Sequence, residues 1–394
     1  MSTQSSAQLP SPNAPFGHHL RNLWSLDPAI HFLNHGSYGA TPRFVQGAQL
    51  RWREALEQEP VRFMGDILPD ALQTAGARLA RFVGASPSRL ALVENATAGA
   101  NAVLRSIRWK AGDRIVLANH AYPAVKNTAH FLAGRHGLQM IEAQVPWPLA
   151  SAEALVEAYT QAIEGGARIA IIDHIFSPLA VVTPLDAIVR RCREQGVQVL
   201  VDGAHAPGLL PLSLDALGDI GVDWYVGNCH KWLCAPKGCG FIVATPEGQC
   251  DLHPAVISNF YGEGFEKEFA WTGTVDPSAR LAISAALEFI DALGVERYRR
   301  ALYEQARDAA ALLARAWGGL PGAPSEMFAG MVTLPLPVNE PGSREAAAHW
   351  RLKLLQEHNI EVPIHAINGK LWVRISAQVY NELSDYEALA RVFS

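Results

Sequence analysis

Between about residues 85 and 245 the chain alternates short apolar runs with segments of helical period. RIVLAN (114–119), ARIAIIDHI (167–175), VQVLVDGAH (197–205) and GFIVAT (240–245) are rich in Val and Ile and bounded by Gly, Asp or His. Apolar runs without polar alternation mark strands buried on both faces. Between them, TPLDAIVRRCREQG (183–196) carries helix signals: Thr183 to cap, Pro184 in the first turn and Gly196 past the end. Strand–helix alternation predicts an α/β fold, a mostly parallel sheet covered by helices. In such sheets ligands bind beyond the carboxyl ends of the strands.

After about residue 275 the pattern changes. DPSARLAISAALEFIDALG and VERYRRALYEQARDAAALLARAWG read as long helices, followed by strand candidates MVTLPLP (331–337) and KLWVRIS (370–376) with a helix near 343–358. The expected division is an N-terminal tail or arm over 1–24, a large domain over 25–275 and a smaller α+β domain over 276–394. The Ser/Pro/Gln-rich start, up to about Pro15, is expected to be disordered.

Composition narrows the class. With 394 residues, 49% of them hydrophobic and 18% charged, the chain can bury more than one core. A net charge of −5 gives no footing for nucleic acid. No apolar run approaches the roughly 20 residues of a membrane span, and the start lacks a signal-peptide pattern, so a cytoplasmic protein is expected. Cys192, Cys229, Cys234, Cys239 and Cys250 show no CxxC spacing and read as reduced thiols. No metal site is expected: the cysteines beside His230 lack paired zinc spacing, and His31 and His35, if extended, stand about 13 Å apart.

The candidate chemistry gathers at predicted strand ends. VLVDGAHAPG ends a strand at Asp202, with His205 three residues on; GNCHKW places Asn228, His230 and Lys231 at another end. VENATAGANAVL sets Asn95, Ala96 and Thr97 at a helix start, where free N–H groups favour an anion. Singly, each has a plainer reading: Asp202 a turn residue, Lys231 a snorkelling side chain, Thr97 an N-cap. Together, an acid, an amine and a phosphate-sized anion site suit pyridoxal 5'-phosphate. That cofactor needs a lysine for its Schiff base, an Asp for its pyridine nitrogen and a cradle for its phosphate.

FLNHGSYGATP, VENATAGANAVL, VDGAHAPG and GNCHKWLCAPKGCGF resemble the class V aminotransferase superfamily of fold-type I pyridoxal-phosphate enzymes, in its isopenicillin N epimerase-like branch. The resemblance spans about residues 15 to 394. It implies that Lys231 carries the aldimine and shuttles the α-proton, and that Asp202 pairs with the pyridine nitrogen. His205 and Ser177 would approach the phenolic oxygen. Thr97, the N–H groups of Ala96 and Ala98, Asn228 and His230 would hold the phosphate. Thr274 would reach the neighbouring subunit's phosphate, which implies a homodimer with shared sites. Arg374 would clamp the substrate carboxylate, with Asn34 and His35 of the FLNHGSYG segment as further substrate-binding residues. The loop NHAYPAV offers His120 or Tyr122 to stack on the ring, with Tyr122 preferred.

No Cys follows Cys250, so the persulfide chemistry of cysteine desulfurases is not expected. The favoured expectation is epimerisation or racemisation of an amino-acid-like substrate. Lys231 would serve one face and Tyr122, His35 or His365 the other. C–S lyase or aminotransferase chemistry is the alternative. A non-pyridoxal α/β enzyme is disfavoured, since neither GxGxxG at the first strand–helix turn nor GxxxxGK[ST] occurs. The Gly-rich SNFYGEGF stretch reads equally as an entrance loop or a dimer contact.

Overall fold

In a computed structural model, residues 8–11 and 13–393 are described. Much of the tail expected to be disordered, residues 1–7 and 12, lies outside that set. Among the described residues twelve strands follow in chain order: β1 (His31–Phe32), β2 (Leu90–Val93), β3 (Arg114–Ala118), β4 (Gln139–Ala143), β5 (Ile169–Asp173), β6 (Gln198–Asp202), β7 (Trp224–Asn228), β8 (Gly240–Ala244), β9 (Met331–Pro335), β10 (Ile360–Glu361), β11 (Ile364–Ile367) and β12 (Lys370–Ser376).

Strands β2 to β8 form one seven-stranded sheet in the order β2-β8-β7-β6-β5-β3-β4. It is parallel except for β8, which runs against both its neighbours. The reason is local. The turn-rich segment between β7 and β8 carries no helix, so it returns the chain directly and cannot make a parallel crossover. β5, β7 and β8 are buried along their whole length, as their unbroken apolar runs require.

Asp173 ends β5, Asp202 ends β6 and Asn228 ends β7, and the register sets Asp173 opposite Asp202. The sheet thus brings three polar residues to one edge. Helix Ala96–Ser106 starts beyond the carboxyl end of β2, capped by Asn95, whose side chain accepts from the Ala98 N–H. The expected cap at Thr183 is not formed. Helix Leu185–Glu194 has Pro184 as N-cap and the Thr183 hydroxyl instead donates to the Asp173 carbonyl; at the other end Gln195 is the C-cap and Gly196, at φ +67°, follows it as expected.

The smaller unit is an antiparallel sheet, β11-β12-β9, with helix Arg344–His358 beside it. Two of the expected boundaries move. β1 pairs in parallel with β10, and Leu33 lies in the smaller unit's core, so the chain enters that unit well after residue 24. At the other end, helix Ile283–Leu293 buries Ile283, Leu287 and Ile290 in the main core. Helix Val295–Trp317 joins the units: Tyr298 and Leu302 pack in the main core, Ala306, Ala310 and Leu313 in the smaller one. The arm is docked as well. Phe16 lies under the Arg297 guanidinium at 3.9 Å, and the Gly17 N–H donates to Val379 O at 2.8 Å.

Candidate active site

A pocket of about 430 Å³ opens at the carboxyl edge of the main sheet, lined in part by Thr97, Tyr122, Asp202, His205, His230 and Lys231. That volume lies in the range of small-molecule sites. Lys231 is 7% exposed, and its Nζ stands 3.0 Å from His205 Nε2. On the far side of that imidazole, Trp232 Nε1–H donates to His205 Nδ1 at 3.5 Å. The ring hydrogen therefore belongs on Nε2, pointing at the amine. Burial pushes His205 well below its usual range, with the Lys231 charge next, so the ring is neutral. Burial, then the charge of Arg374, pulls the Lys231 amine down to about 7, with Asp202 acting the other way. A neutral amine accepting from His205 is a nucleophile and a base near neutral pH.

The FLNHGSYG segment explains how the lysine is held. His35 is fully buried, with Nε2 3.0 Å from the Lys231 carbonyl and Nδ1 2.9 Å from the Tyr380 hydroxyl. Gly39, at φ +68°, packs so tightly that a Cβ there would lie 1.9 Å from the His230 carbonyl oxygen. Both residues seat the backbone beneath the lysine. His35 therefore stands behind the pocket wall, away from any substrate, and burial drives its imidazole down to about 3.

Asp202 Oδ1 accepts from the Ala204 N–H at 3.0 Å, and burial raises its carboxyl. Asp173 is raised well above the usual range, by burial first and then by the charge of Asp202, with the Tyr122 backbone N–H acting the other way. At the helix start, the Ala96 N–H donates to Asn228 Oδ1 at 2.8 Å and the Ala98 N–H to Asn95 Oδ1 at 2.9 Å. These two N–H groups, expected to hold phosphate, are thus already engaged; Asn95, Ala96 and Thr97 all line the pocket. His230 lines the same end, its Nδ1 3.3 Å from Cys239 O, and burial takes it down to about 4.

Arg374 is 2% exposed on β12. Its Nη1 donates to Ser177 O at 2.7 Å and Ser177 Oγ at 3.2 Å, and its Nη2 to Ser37 Oγ at 3.0 Å and Asn34 Oδ1 at 3.5 Å. Its Nε is buried without a partner, and burial lowers the guanidinium to about 10. Ser37 and Ser177 line the pocket, so Arg374 and Asn34 form a layer directly behind them. Ser177 serves this wall through Arg374.

Of the aromatic candidates Tyr122 lines the pocket, and His120 is not among the lining residues. His365, partly buried and pulled down to about 3 by burial and then by Arg374, is not among them either. Thr274 is exposed and outside this chain's pocket. The SNFYGEGF loop is pinned from below: buried Glu268 accepts from the Gly262 N–H at 3.1 Å and bonds His253 Nδ1 at 2.7 Å. Sequence reasoning missed Ser37, Tyr38, Asp173 and Lys237, which all line the pocket. The strand-end rule that found Asp202 applies equally to Asp173.

The chain matches the aminotransferase class-V family over residues 61–341. It belongs to that family. Among relatives, it is 33% identical over 405 residues to "Probable L-cysteine desulfhydrase, chloroplastic" of Arabidopsis thaliana, covering 95% of this chain and 83% of that one. It is also 33% identical over 391 residues to isopenicillin N epimerase of Amycolatopsis lactamdurans, covering 94% and 96%. The fold resembles a cysteine desulfurase from Thermococcus onnurineus, with a TM-score of 0.79, 18% identity, and coverage of 97% and 98%. As a class-V protein this chain is a pyridoxal-phosphate enzyme. Its own residues fit that cofactor: a buried amine drawn down to about 7, and a buried carboxylate at Asp202 on which the Lys231 charge acts. Among the described residues no group of three or more His, Cys, Asp or Glu side chains is placed to hold a metal ion. No helix among them is long and apolar enough to cross a membrane.

Proposed function

We propose that this class-V enzyme is a C–S lyase that eliminates a sulfur leaving group from the β-carbon of a cysteine-like amino acid. One observation carries the reading. Lys231, beside His205, is the pocket amine drawn down to about 7; burial lowers the pocket's other amine, Lys237, as well, while both histidines considered as a second base, His35 and His365, stand outside the pocket. Elimination needs one base; epimerisation needs one on each face. The desulfhydrase name of the Arabidopsis relative supports the same choice.

When bound, pyridoxal phosphate supplies a sink for the electron pair left on the α-carbon. Lys231 and Asp202 would hold its carbonyl carbon and ring nitrogen, and Thr97 and His230 its phosphate. Lys231 Nζ takes the α-proton, and His205 Nε2–H steadies the neutral amine before that step. Arg374, backed by Ser177, Ser37 and Asn34, orients the substrate carboxylate through charge. The α C–H and β C–S bonds break, sulfur departs with its bonding pair, and water releases pyruvate and ammonia. No cysteine lines the pocket to receive the sulfur.

Epimerisation is the second reading, favoured by Tyr122, which lines the pocket with its hydroxyl pKa raised chiefly by burial, and by the Amycolatopsis relative. NMR in D2O with L-cysteine and other L- and D-amino acids separates the two. Pyruvate with loss of the β-substituent is expected; α-deuteration with inversion and intact substrate would replace the lyase reading. A homodimer is part of the proposal, since Tyr38, Tyr261 and Val275 are exposed large side chains that a second subunit would cover. The free thiols suit a reducing compartment such as the cytoplasm.

A further inference from the structure

A second cavity, of about 320 Å³, lies between helix Leu68–Val83, β2, helix Phe265–Ala270 and Arg280. Leu72, Leu90 and Phe269 give it apolar walls; Gln73, Glu266 and Arg280 are its polar features. Arg280 is 5% exposed, and among the described residues its guanidinium has no hydrogen-bond or ion-pair partner. Glu266 is exposed and makes no ion pair with it. The titratable neighbour that feels its charge is the Cys239 thiol, itself raised well above its usual range by burial, so it remains neutral. A buried cation without a counter-charge is costly, and an anion arriving in the cavity would remove that cost.

A second feature points the same way. Gly76 sits inside helix Leu68–Val83 and lines the cavity, and a Cβ there would meet only Leu90 Cδ2, at 3.9 Å. Nothing in the packing requires glycine, which weakens a helix interior. What it does is keep the space open.

We propose that this cavity is a binding site for a small monocarboxylic acid with an apolar body, its carboxylate on Arg280 and its body against Leu72, Leu90 and Phe269. Glu266 in the same lining disfavours dianions. The site is separate from the catalytic pocket but adjoins it. β2 leads to Asn95, which lines that pocket, and a Cβ on Gly238 would lie 3.8 Å from the Ala279 Cβ, next to Arg280.

The test is calorimetric titration of the cofactor-loaded enzyme with n-hexanoate, using n-hexylammonium as control. It is run on the wild type and on Arg374→Gln, in which the catalytic wall no longer attracts carboxylates. Saturable binding of one hexanoate per chain in Arg374→Gln is expected, with none for the ammonium. Arg280→Leu should weaken it by at least about tenfold, and Arg280→Lys should restore part. Gly76→Leu, which narrows the cavity and leaves the charge in place, should weaken it as well and serves if Arg280→Leu does not fold. Absence of binding at millimolar hexanoate, or equal binding by the Arg280 and Gly76 variants, overturns the site. So does a structure of the assembled protein in which another chain's carboxylate rests on Arg280.

Discussion

Two arginines are almost wholly buried beside pockets, and they are treated in opposite ways. Arg374 donates to a carbonyl, two hydroxyls and an amide oxygen, all neutral, and among the described residues no carboxylate pairs with it. Arg280 has no side-chain partner among the described residues and faces a cavity instead. Neutral acceptors aim a charge without cancelling it, so Arg374 keeps its field for an incoming carboxylate and for Lys231. An unheld charge has reach without aim, which suits a tolerant site. The contrast shows why burial alone is a poor marker of a catalytic cation; the number and neutrality of its acceptors say more.

The largest expected effect separates the two directly. Arg374→Leu strands Ser177, Ser37 and Asn34 acceptors and removes the carboxylate partner, so kcat/KM should fall by about 10²-fold or more, with stability lower by about 1–3 kcal/mol. Arg280→Leu removes a buried charge that nothing among the described residues pairs, so turnover should change by less than about twofold while Tm holds or rises. Steady-state kinetics and thermal melts of both variants check this. A large loss of turnover in Arg280→Leu would erase the distinction.

The pH profile sharpens the same contrast. The amine of Lys231, freed once substrate has displaced it from the cofactor, must be neutral to take the α-proton, so kcat of the wild type should rise with pH through about 7. Arg374 is the second cause holding that amine down, after burial. Its replacement by Leu should move the rising limb to higher pH, whereas Arg280→Leu should leave the limb where it is. A limb unmoved by Arg374→Leu would mean that the arginine's charge does not reach the amine.

Much of this arrangement was legible in the sequence, for identifiable reasons. Strand ends carry side chains to one edge of a parallel sheet, so Asp202, Asn228 and Lys231 could be grouped from pattern alone. The antiparallel direction of β8 was not read, although the helix-free segment before it accounts for it. What escaped were contacts across long sequence separations. His35 sits near Asn34 in sequence and looked like a pocket residue, but it is fixed beneath the wall by Tyr380, 345 positions away. The Ala96 N–H looked free for an anion because the Asn228 side chain that claims it comes 132 positions later. Arg280 gave no signal at all, since an unpaired charge is visible only when its surroundings are.

His35 offers a smaller effect on the aiming side of the comparison. His35→Leu removes the bond to the Lys231 carbonyl and strands the Tyr380 hydroxyl, costing about 1–3 kcal/mol of stability. Turnover should fall by less than about tenfold, because the amine remains. Product stereochemistry should be unchanged. Selective loss of α-proton exchange on one enantiomer would instead make His35 a base and break the reading of the wall.

The smallest effect lies on the unheld side and carries the sign of an opposite expectation. In a well-packed region, adding a methyl group to a glycine meets its neighbours and costs stability. At Gly76 the nearest atom to the new Cβ is Leu90 Cδ2, at 3.9 Å, an ordinary contact, and the residue lies inside a helix. Gly76→Ala should therefore raise stability by about 0.5–1 kcal/mol, from reduced backbone freedom in the unfolded chain, with kcat/KM unaltered. Chemical denaturation of the cofactor-loaded enzyme measures it. A loss of stability would show that the space beside Arg280 is already filled, which would also deprive the buried guanidinium of the opening through which a carboxylate reaches it.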